Sequence, residues 1–458
     1  MRIKTIAFFP IIAGVTSGAL GQANQNAVTG AEDAFGFSNG DENVGIYSEQ
    51  SVRGFNLEAA GNYRINGRYF VKSSGTSNFF LEKKTVRIGY NTFAVDLPGP
   101  SGVVDFKLRD PKASEASLLT TGLAEHGSPY MDLLYKHRSK GGQFSAATGL
   151  GLQYDNRNHQ GGTSSSWLLA GTGRWNLSNN TKLQLFFGEY SYRRQNQFRL
   201  RTNGVFLPKK IKRGKYLGQN WAEEKGERRI AGLTWDHGLS SGWEVDGIVS
   251  FSQEDPTTAY TQLFTLTSPD KNKAESTLII APHQKFTAWS GEITAGRNFK
   301  TGDVAHKFNF HNRLRISRNR FGGETTLHLG LSAINTAQVQ IAEVTNANRT
   351  TIRDEVTQWG LGFAYQLNWA NHTKISVGIM RSDYRKKLFT KNNTSQNINK
   401  PWLYNIAATT KVLPQLELYA SYNKGLEEAG TAPSSASNPN EVLNAVVVTQ
   451  REIGVKAK

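Results

Sequence analysis

The sequence predicts an all-β transmembrane barrel preceded by a small α/β domain. Three observations carry this: a turn-rich β composition, strand-length windows with one wholly apolar face, and links that alternate short and long. Forty-five Gly, 11% aromatic residues and 38% hydrophobic residues, with abundant Asn, Ser and Thr, describe a β-protein of modest average hydrophobicity. Beyond the N-terminus no run of 18 or more apolar residues occurs, so a helical membrane protein is excluded. Cysteine is absent, which removes disulfides, thiolate zinc sites and cysteine nucleophiles together.

The first 23 residues read as an export signal. Arg2 and Lys4 supply a basic start, Thr5 to Leu20 is an apolar stretch too short to span a bilayer, and Ala19, Gly21 and Ala23 are small enough for cleavage after Gly21 or Ala23. Residues 24–112 follow as a Gly-rich segment of mixed polarity and short period, expected to form the small domain, with a boundary near Pro111. Residues 113–458 are expected to form the barrel.

The clearest barrel window is Thr357 to Trp369, "TQWGLGFAYQLNW". Odd positions from Trp359 are Trp, Leu, Phe, Tyr, Leu and Trp, while even positions are Gln, Gly, Ala and Asn. Strand side chains alternate faces with period 2. An apolar face with aromatic ends and a small polar face fits a strand between lipid and lumen. The same pattern recurs at Phe144 to Asp155, at Trp243 to Phe251 and at Phe308 to Ile316.

From Glu115 onward there are about fourteen strand-like segments. Short links (176–181, 239–242, 300–303, 370–372, 413–415) alternate with long ones (about 194–227, 254–285, 318–356, 385–400, 424–444). Short turns at one end and long loops at the other are the habit of transmembrane barrels. Loops of this length count against a compact soluble domain.

The formal charge is +17, and the link Arg193 to Arg229 holds twelve Lys or Arg against three Glu, a net of +9. A basic vestibule would concentrate anionic ligands. A solvated loop touching lipopolysaccharide phosphates is the other reading. Nucleic acid is not an expected partner, since export and barrel patterning oppose it. Lys307, Arg313 and Arg315 alternate with Phe308, Leu314 and Ile316, so a basic inward face is expected, with Lys307 and Arg315 open to pairing with carboxylates such as Asp105. His306 and His311 fall on opposite faces of one strand and cannot share a metal. No phosphate loop, nucleophile elbow, His-Glu-x-x-His or dinucleotide fingerprint occurs, so no enzyme is expected.

Three segments resemble the TonB-dependent outer-membrane receptors, of the siderophore-receptor kind. "SVRGFNLEAAGNYRINGRYF" (Ser51 to Phe70) is similar to the family's plug segment, with Arg-Gly-Phe followed by an Ile-Asn-Gly strand. "GPSGVVDFKLRDP" (Gly99 to Pro111) resembles the plug's closing strand, and "LELYASYNKGLEEAG" (Leu416 to Gly430) a barrel strand before a long extracellular loop. The family's Glu-x-x-x-Gly-Pro phrase is not intact, its place being taken by Glu82 to Tyr90. The resemblance implies an outer-membrane receptor of a Gram-negative bacterium that imports a ferric siderophore or similar iron complex. TonB and its inner-membrane motor would supply the energy, lipopolysaccharide would surround the barrel, and no resident cofactor or metal would be held.

Ligand contacts are expected at Arg53 in the resembling segment, at Arg193, Arg194, Lys209, Lys210, Lys212 and Arg213 in the basic link, and at Arg313 and Arg315 on the basic inward face. TonB contact would fall at Val28 and Thr29, within "NAVTG". The alternatives are a passive porin-like channel of about fourteen strands, or an adhesin using the long loops. Plugged transporters close with about 22 strands. Some eight strands, on the order of 200 residues, would then lie beyond Lys458. An unpaired edge at the closing segment "VVVTQREIGVKAK" cannot face lipid, so a truncated receptor is expected.

Overall fold

The computed structural model describes residues 55–457, with breaks at 90–91, 93–94, 101, 112–115, 197, 207–209, 211 and 267–272 and at single positions 335, 337, 347, 371, 429 and 434, together with the backbone of 28–33, 36–40 and 51–52. The export segment 1–23, Arg53 and Lys209 lie outside the described residues.

The N-terminal region forms a sheet of β1 (Val28–Asp33), β2 (Gly36–Gly40), β5 (Tyr63–Ile65), β6 (Arg68–Phe70), β7 (Leu81–Arg87) and β8 (Val103–Leu108) in the order β2-β1-β7-β8-β5-β6, with a separate ribbon of β3 (Ser51–Val52) and β4 (Phe55–Asn56). Among the described residues this region is built from strands and turns. Its β5–β6 hairpin has a local cause in the sequence. Asn66 (φ 50°) and Gly67 (φ 82°) are both left-handed, the conformation that a two-residue Asn-Gly hairpin requires. The Asn66 side chain also accepts from Leu108 N–H (2.9 Å) and donates to Gln184 Oε1 on the wall (3.2 Å). The Ile-Asn-Gly phrase is therefore both a turn and an anchor.

The wall begins with β9 (Leu118–Leu123), β10 (Pro129–Arg138), β11 (Phe144–Arg157), β12 (Thr163–Asn176) and β13 (Thr181–Gln195). It continues through β15 (Glu223–Gly238), β16 (Trp243–Leu266), β18 (Lys285–Thr301), β19 (Val304–Phe321) and β21 (Ile352–Trp369). The remaining wall strands are β22 (Thr373–Phe389), β24 (Trp402–Leu413), β25 (Leu416–Glu427) and β26 (Val446–Ala457). These fourteen strands pair antiparallel in that order. The strand order rolls up as a barrel, while among the described residues no residue-by-residue register joins β26 to β9.

Alternation along each strand divides the faces as expected. Phe310 and Leu314 face outward, 49% and 43% exposed, while Asn309, His311, Arg313 and Arg315 are buried inward. The long links differ from the expected loops. They hold β14 (Arg199–Thr202), β17 (Lys273–Ala281), β20 (Thr325–Ala333) and β23 (Thr394–Asn399). β14 and β17 flank the far half of β16, and β20 pairs with β17. This outer sheet has its own apolar clusters, one around Phe198, Phe264 and Leu266 and another around Tyr260, Leu278 and Ile280. Burying these side chains offsets the entropy of ordering so long a link.

Candidate functional site

The small N-terminal sheet docks against the inward face of the wall, along a seam with two unlike halves. Against β10–β16 the buried centre of the contact is apolar, and ion pairs flank it: Arg68 with Asp236 and Asp246 (2.8 Å), and Asp110 with Arg138 (3.3 Å) and Arg174. Phe79 and Phe80 enter a cluster with Leu134, Ala147, Ala170, Phe186, Ile230 and Ile248 of the wall, and the Phe80 and Phe186 rings lie 5.8 Å apart. Small inward residues make room: a Cβ on Gly149 would come within 2.1 Å of the Phe79 ring. The small, polar lumen face read in the sequence is thus a socket for the inner domain's aromatic side chains.

Against β18–β25 the seam is ionic. Glu292 of β18, buried, accepts from the backbone N–H of Tyr69 (2.5 Å) and from Arg313 Nε (2.6 Å), and lies 3.0 Å from His311 Nδ1. The other His311 nitrogen is 3.4 Å from Asp96 of the inner domain, which also accepts from Gln366 (2.8 Å) and Asn309, with Lys307 at 3.8 Å. Burial alone would raise the Asp96 carboxyl, yet the His311 and Asn309 contacts and the Lys307 charge together hold it below the ordinary carboxylate range. Next to it Leu97 takes a left-handed φ of 51°, which a non-glycine residue holds only where its surroundings enforce it. Leu97 and Pro100 press against glycines of the wall: a Cβ on Gly362 or Gly378 would meet Leu97 at 2.8 Å, and one on Gly425 would meet Pro100 at 2.3 Å.

A second ionic group lies nearer the long-loop end. Glu428, just past β25, bonds Arg315 and Lys386 (2.9 Å), and Lys386 also reaches Asp354 (3.2 Å). The Glu428 backbone N–H donates to Ala59 O of the inner domain (3.0 Å). Although burial opposes it, the charges of Arg315 and Lys386 hold the Glu428 carboxyl below its ordinary range. Between the two groups runs a crevice whose lining includes Asn62, Arg64, Tyr69, Arg313, Gln358 and Asn405. The guanidiniums of Arg64 and Arg313 stand 5.6 and 5.4 Å from the Tyr69 ring centre. Cations, amides and a phenol facing one crevice suit an anionic, oxygen-rich guest. Among the described residues no group of three or more His, Asp or Glu side chains is arranged to hold a bare metal ion.

The expected site residues divide among four places. Arg313 and Arg315 come together in the ionic seam. Lys210, Lys212 and Arg213 are exposed on the link between β14 and β15. Arg194 pairs with Glu224 (2.8 Å) and covers the Tyr192 ring (5.1 Å), whereas Arg193 stands exposed on the opposite face, 4.0 Å from Glu223. Val28 and Thr29 belong to β1, paired in parallel with Lys83 and Lys84 of β7.

One expected pairing is corrected. Asp105 pairs with Arg87 inside the small domain (3.2 Å) and accepts from Gly67 N–H, so Arg315 takes Glu428 and Lys307 takes Asp96 instead. Sequence reasoning missed Glu292, Asp96 and Glu428. Glu292 carried a signal, being the one charged residue on the inward parity of "AWSGEITAG". Asp96 and Glu428 sit in irregular segments, where no periodicity marks an inward face.

A family model described as TonB dependent receptor-like, beta-barrel, matches residues 172–458. The ferric preacinetobactin receptor BauA of Acinetobacter baumannii superposes with a TM-score of 0.72 at 16% identity, over 89% of this chain and 62% of that one. The closed form of the ferric-catecholate import receptor Fiu of E. coli K12 gives 0.70 at 12%, over 96% and 68%. The pyoverdine receptor FpvA of Pseudomonas aeruginosa PAO1, bound to pyoverdine, gives 0.67 at 13%, over 95% and 63%. At these identities the likeness is one of fold. The chain spans about three-fifths of the length of such structures. No curated protein matches the sequence significantly. Family match, barrel wall and inner domain agree: the chain belongs to the TonB-dependent receptors, transport receptors rather than enzymes, which are β-barrel proteins of the Gram-negative outer membrane.

Proposed function

We propose that this chain serves the import of an anionic ferric siderophore or similar iron complex, with residues 24–112 acting as the plug of a barrel formed by 113–458. The observation that carries the reading is the crevice between inner domain and wall, lined by Arg64, Tyr69 and Arg313. The exposed Lys210, Lys212 and Arg213 belong to a link of net charge +9, which would raise the local concentration of an anionic cargo before it reaches the crevice. Iron would be cargo, carried inside its chelator, with no resident cofactor. Receptors of ferric preacinetobactin, ferric catecholates and pyoverdine share the fold and lend the reading its substrate class.

TonB with its inner-membrane motor would supply energy through the plug. Contact at Val28 and Thr29 would require β1 to part from β7, since these residues pair with Lys83 and Lys84. The test is binding of a panel of ferric siderophores to the detergent-purified chain, followed by uptake in cells with and without TonB. Binding of an anionic complex, with uptake lost when TonB is absent, is expected. Uptake indifferent to TonB would replace this reading with a passive channel, and failure to bind any iron complex would remove the substrate class.

A further inference from the structure

Several polar side chains on the inward face of the wall are bonded by the inner domain. Ser290 accepts from Val71 N–H (3.0 Å), Ser252 from Ser73 N–H (2.6 Å) and Gln184 from Asn66 (3.2 Å), while Gln366 donates to Asp96 (2.8 Å). One row near the long-loop ends of β24–β26 is different. Asn405 of β24 lies opposite Asn423 of β25, which lies opposite Gln450 of β26. Facing Cβ atoms on adjacent strands are about 5 Å apart, so the three amides form a continuous strip.

Asn405 and Asn423 are 2% and 3% exposed, yet among the described residues neither they nor Gln450 have a partner for the side-chain carbonyl oxygen. The hydroxyls of Ser421 and Thr409, on the same face toward the short-turn end, are unpartnered as well. A buried polar group without a partner loses its hydration and gains nothing in return, so stability alone disfavours such a strip. Leucines would occupy similar space without that cost. Folds keep such groups mainly at functional sites.

Leu97 and Pro100 of the inner domain stand over the strip. A Cβ on Gly378, paired in register with Asn405, would meet both the Asn405 side chain and Leu97 (2.8 Å), and one on Gly425, two residues from Asn423, would meet Pro100. The left-handed backbone of Leu97 (φ 51°) makes this a strained cover. Asn405 also lines the crevice that holds Arg64 and Arg313, so the crevice has a cationic end and a neutral amide end. Glu452, two residues from Gln450 on the same face, sets a carboxylate beside the amide end and disfavours an anion there.

Resting on the reading that the cargo is an anionic iron complex, we propose that Asn405, Asn423 and Gln450 form a second contact surface, which takes the neutral amide and hydroxyl groups of the chelator while its charged iron centre stays at Arg64 and Arg313. Amides donate and accept, so they match a guest that carries both kinds of group. The strip is reached when the 95–100 segment lifts, and its oxygens favour the lifted state because a guest gives them partners only there. Selection among chelators of equal charge follows, since buried groups left unpaired penalise a guest that lacks the matching atoms.

The test measures the affinity of the full chain in detergent micelles for two ferric complexes of equal charge and iron coordination. In one the catechols are joined through amides, and the other is the complex of unlinked catechol. Each neutral hydrogen bond is worth about fivefold in affinity, so two engaged amides give the wild type a preference of about 25-fold for the linked complex. The variant N405L/N423L is expected to lose that preference, with a thermal unfolding midpoint no lower than that of the wild type. If the leucines prevent folding, N423A alone is expected to reduce the preference about fivefold. No preference in the wild type, a preference unchanged by the substitutions, or a lowered midpoint with equal loss for both complexes would each overturn the strip's role while leaving the cargo reading in place. Binding of neither complex by the wild type would remove the cargo reading and this inference with it.

Discussion

The two halves of the seam between inner domain and wall differ in what lies at their buried centre, aromatic side chains in one and charged groups in the other. Against β10–β16, Phe79 and Phe80 are buried among wall side chains and glycine sockets. Against β18–β25, the contact is carried by Glu292, His311, Asp96 and Arg313, with Arg315, Lys386 and Glu428 above them. Apolar burial is non-directional and has one well-packed solution. Ion pairs in a confined space are strongly coupled to protonation and to competing charges. The half centred on Phe79 and Phe80 is therefore expected to be the more fixed side of the inner domain, its flanking ion pairs of Arg68 and Asp110 notwithstanding, and the half centred on Glu292 the side more readily released by an arriving anion or a change of pH.

The comparison is broken most severely from the apolar side. Phe80→Ala leaves a cavity beside Phe186 and is expected to destabilise by about 4 kcal/mol, read as a lower midpoint in urea unfolding of the detergent-solubilised protein. An effect under about 1 kcal/mol would mean that the wall closes over the gap. On the ionic side, Glu292→Ala strands Arg313 and His311 without their buried counter-charge and is expected to cost about 3 kcal/mol. Glu292→Gln keeps an acceptor for the Tyr69 N–H and should recover part of that loss. A cost for Glu292→Gln equal to that of Glu292→Ala would show that charge, and not hydrogen bonding, carries the contact.

Smaller changes sharpen the distinction. Gly425→Ala places a methyl 2.3 Å from Pro100 and should push the 95–100 segment away from β25 at a cost of about 1–3 kcal/mol. Increased protease cutting at 95–100, with none at 77–81, would be the mark of release confined to the ionic half. Acid should do the same reversibly. Asp96 and Glu428 have folded-state values below their unfolded ones. Their contribution is present above the ordinary carboxylate values of about 4 and is lost as pH falls through the lower folded values. Hydrogen exchange at Asp96 and Glu428 is thus expected to rise below about pH 4 while exchange at Phe79 to Leu81 stays slow. A uniform rise across both halves would erase the comparison.

Much of the wall was legible because a membrane strand has to repeat one simple rule. The window Thr357 to Trp369 becomes the membrane half of β21, with Trp359 and Trp369 exposed outward and Gly360, Gly362 and Ala364 turned inward. Arg313 and Arg315 were read as inward by the same parity, and they are. The long links were read as loops because their apolar residues, such as Phe198, Phe264 and Ile280, are scattered among polar ones, and only their assembly into an outer sheet buries them. Pairing choices were not legible either, since Arg315 faces several carboxylates of equal sign and only the path of the chain past Glu427 decides which one arrives.

By itself, then, the sequence determined the barrel, its inward and outward faces, the Asn-Gly hairpin of the inner domain and the places where charge accumulates. Each of these follows from a local rule: period 2 between lipid and lumen, left-handed backbone at Asn66 and Gly67, and a count of Lys and Arg along a link. Tertiary structure alone decided that Phe79 meets Gly149, that Asp96 meets His311 and that Glu428 holds Arg315. Those contacts join residues tens to hundreds of positions apart; the first two are selected by the rotation of the inner domain against the wall and the third by the path of the chain past Glu427, and no local window encodes either.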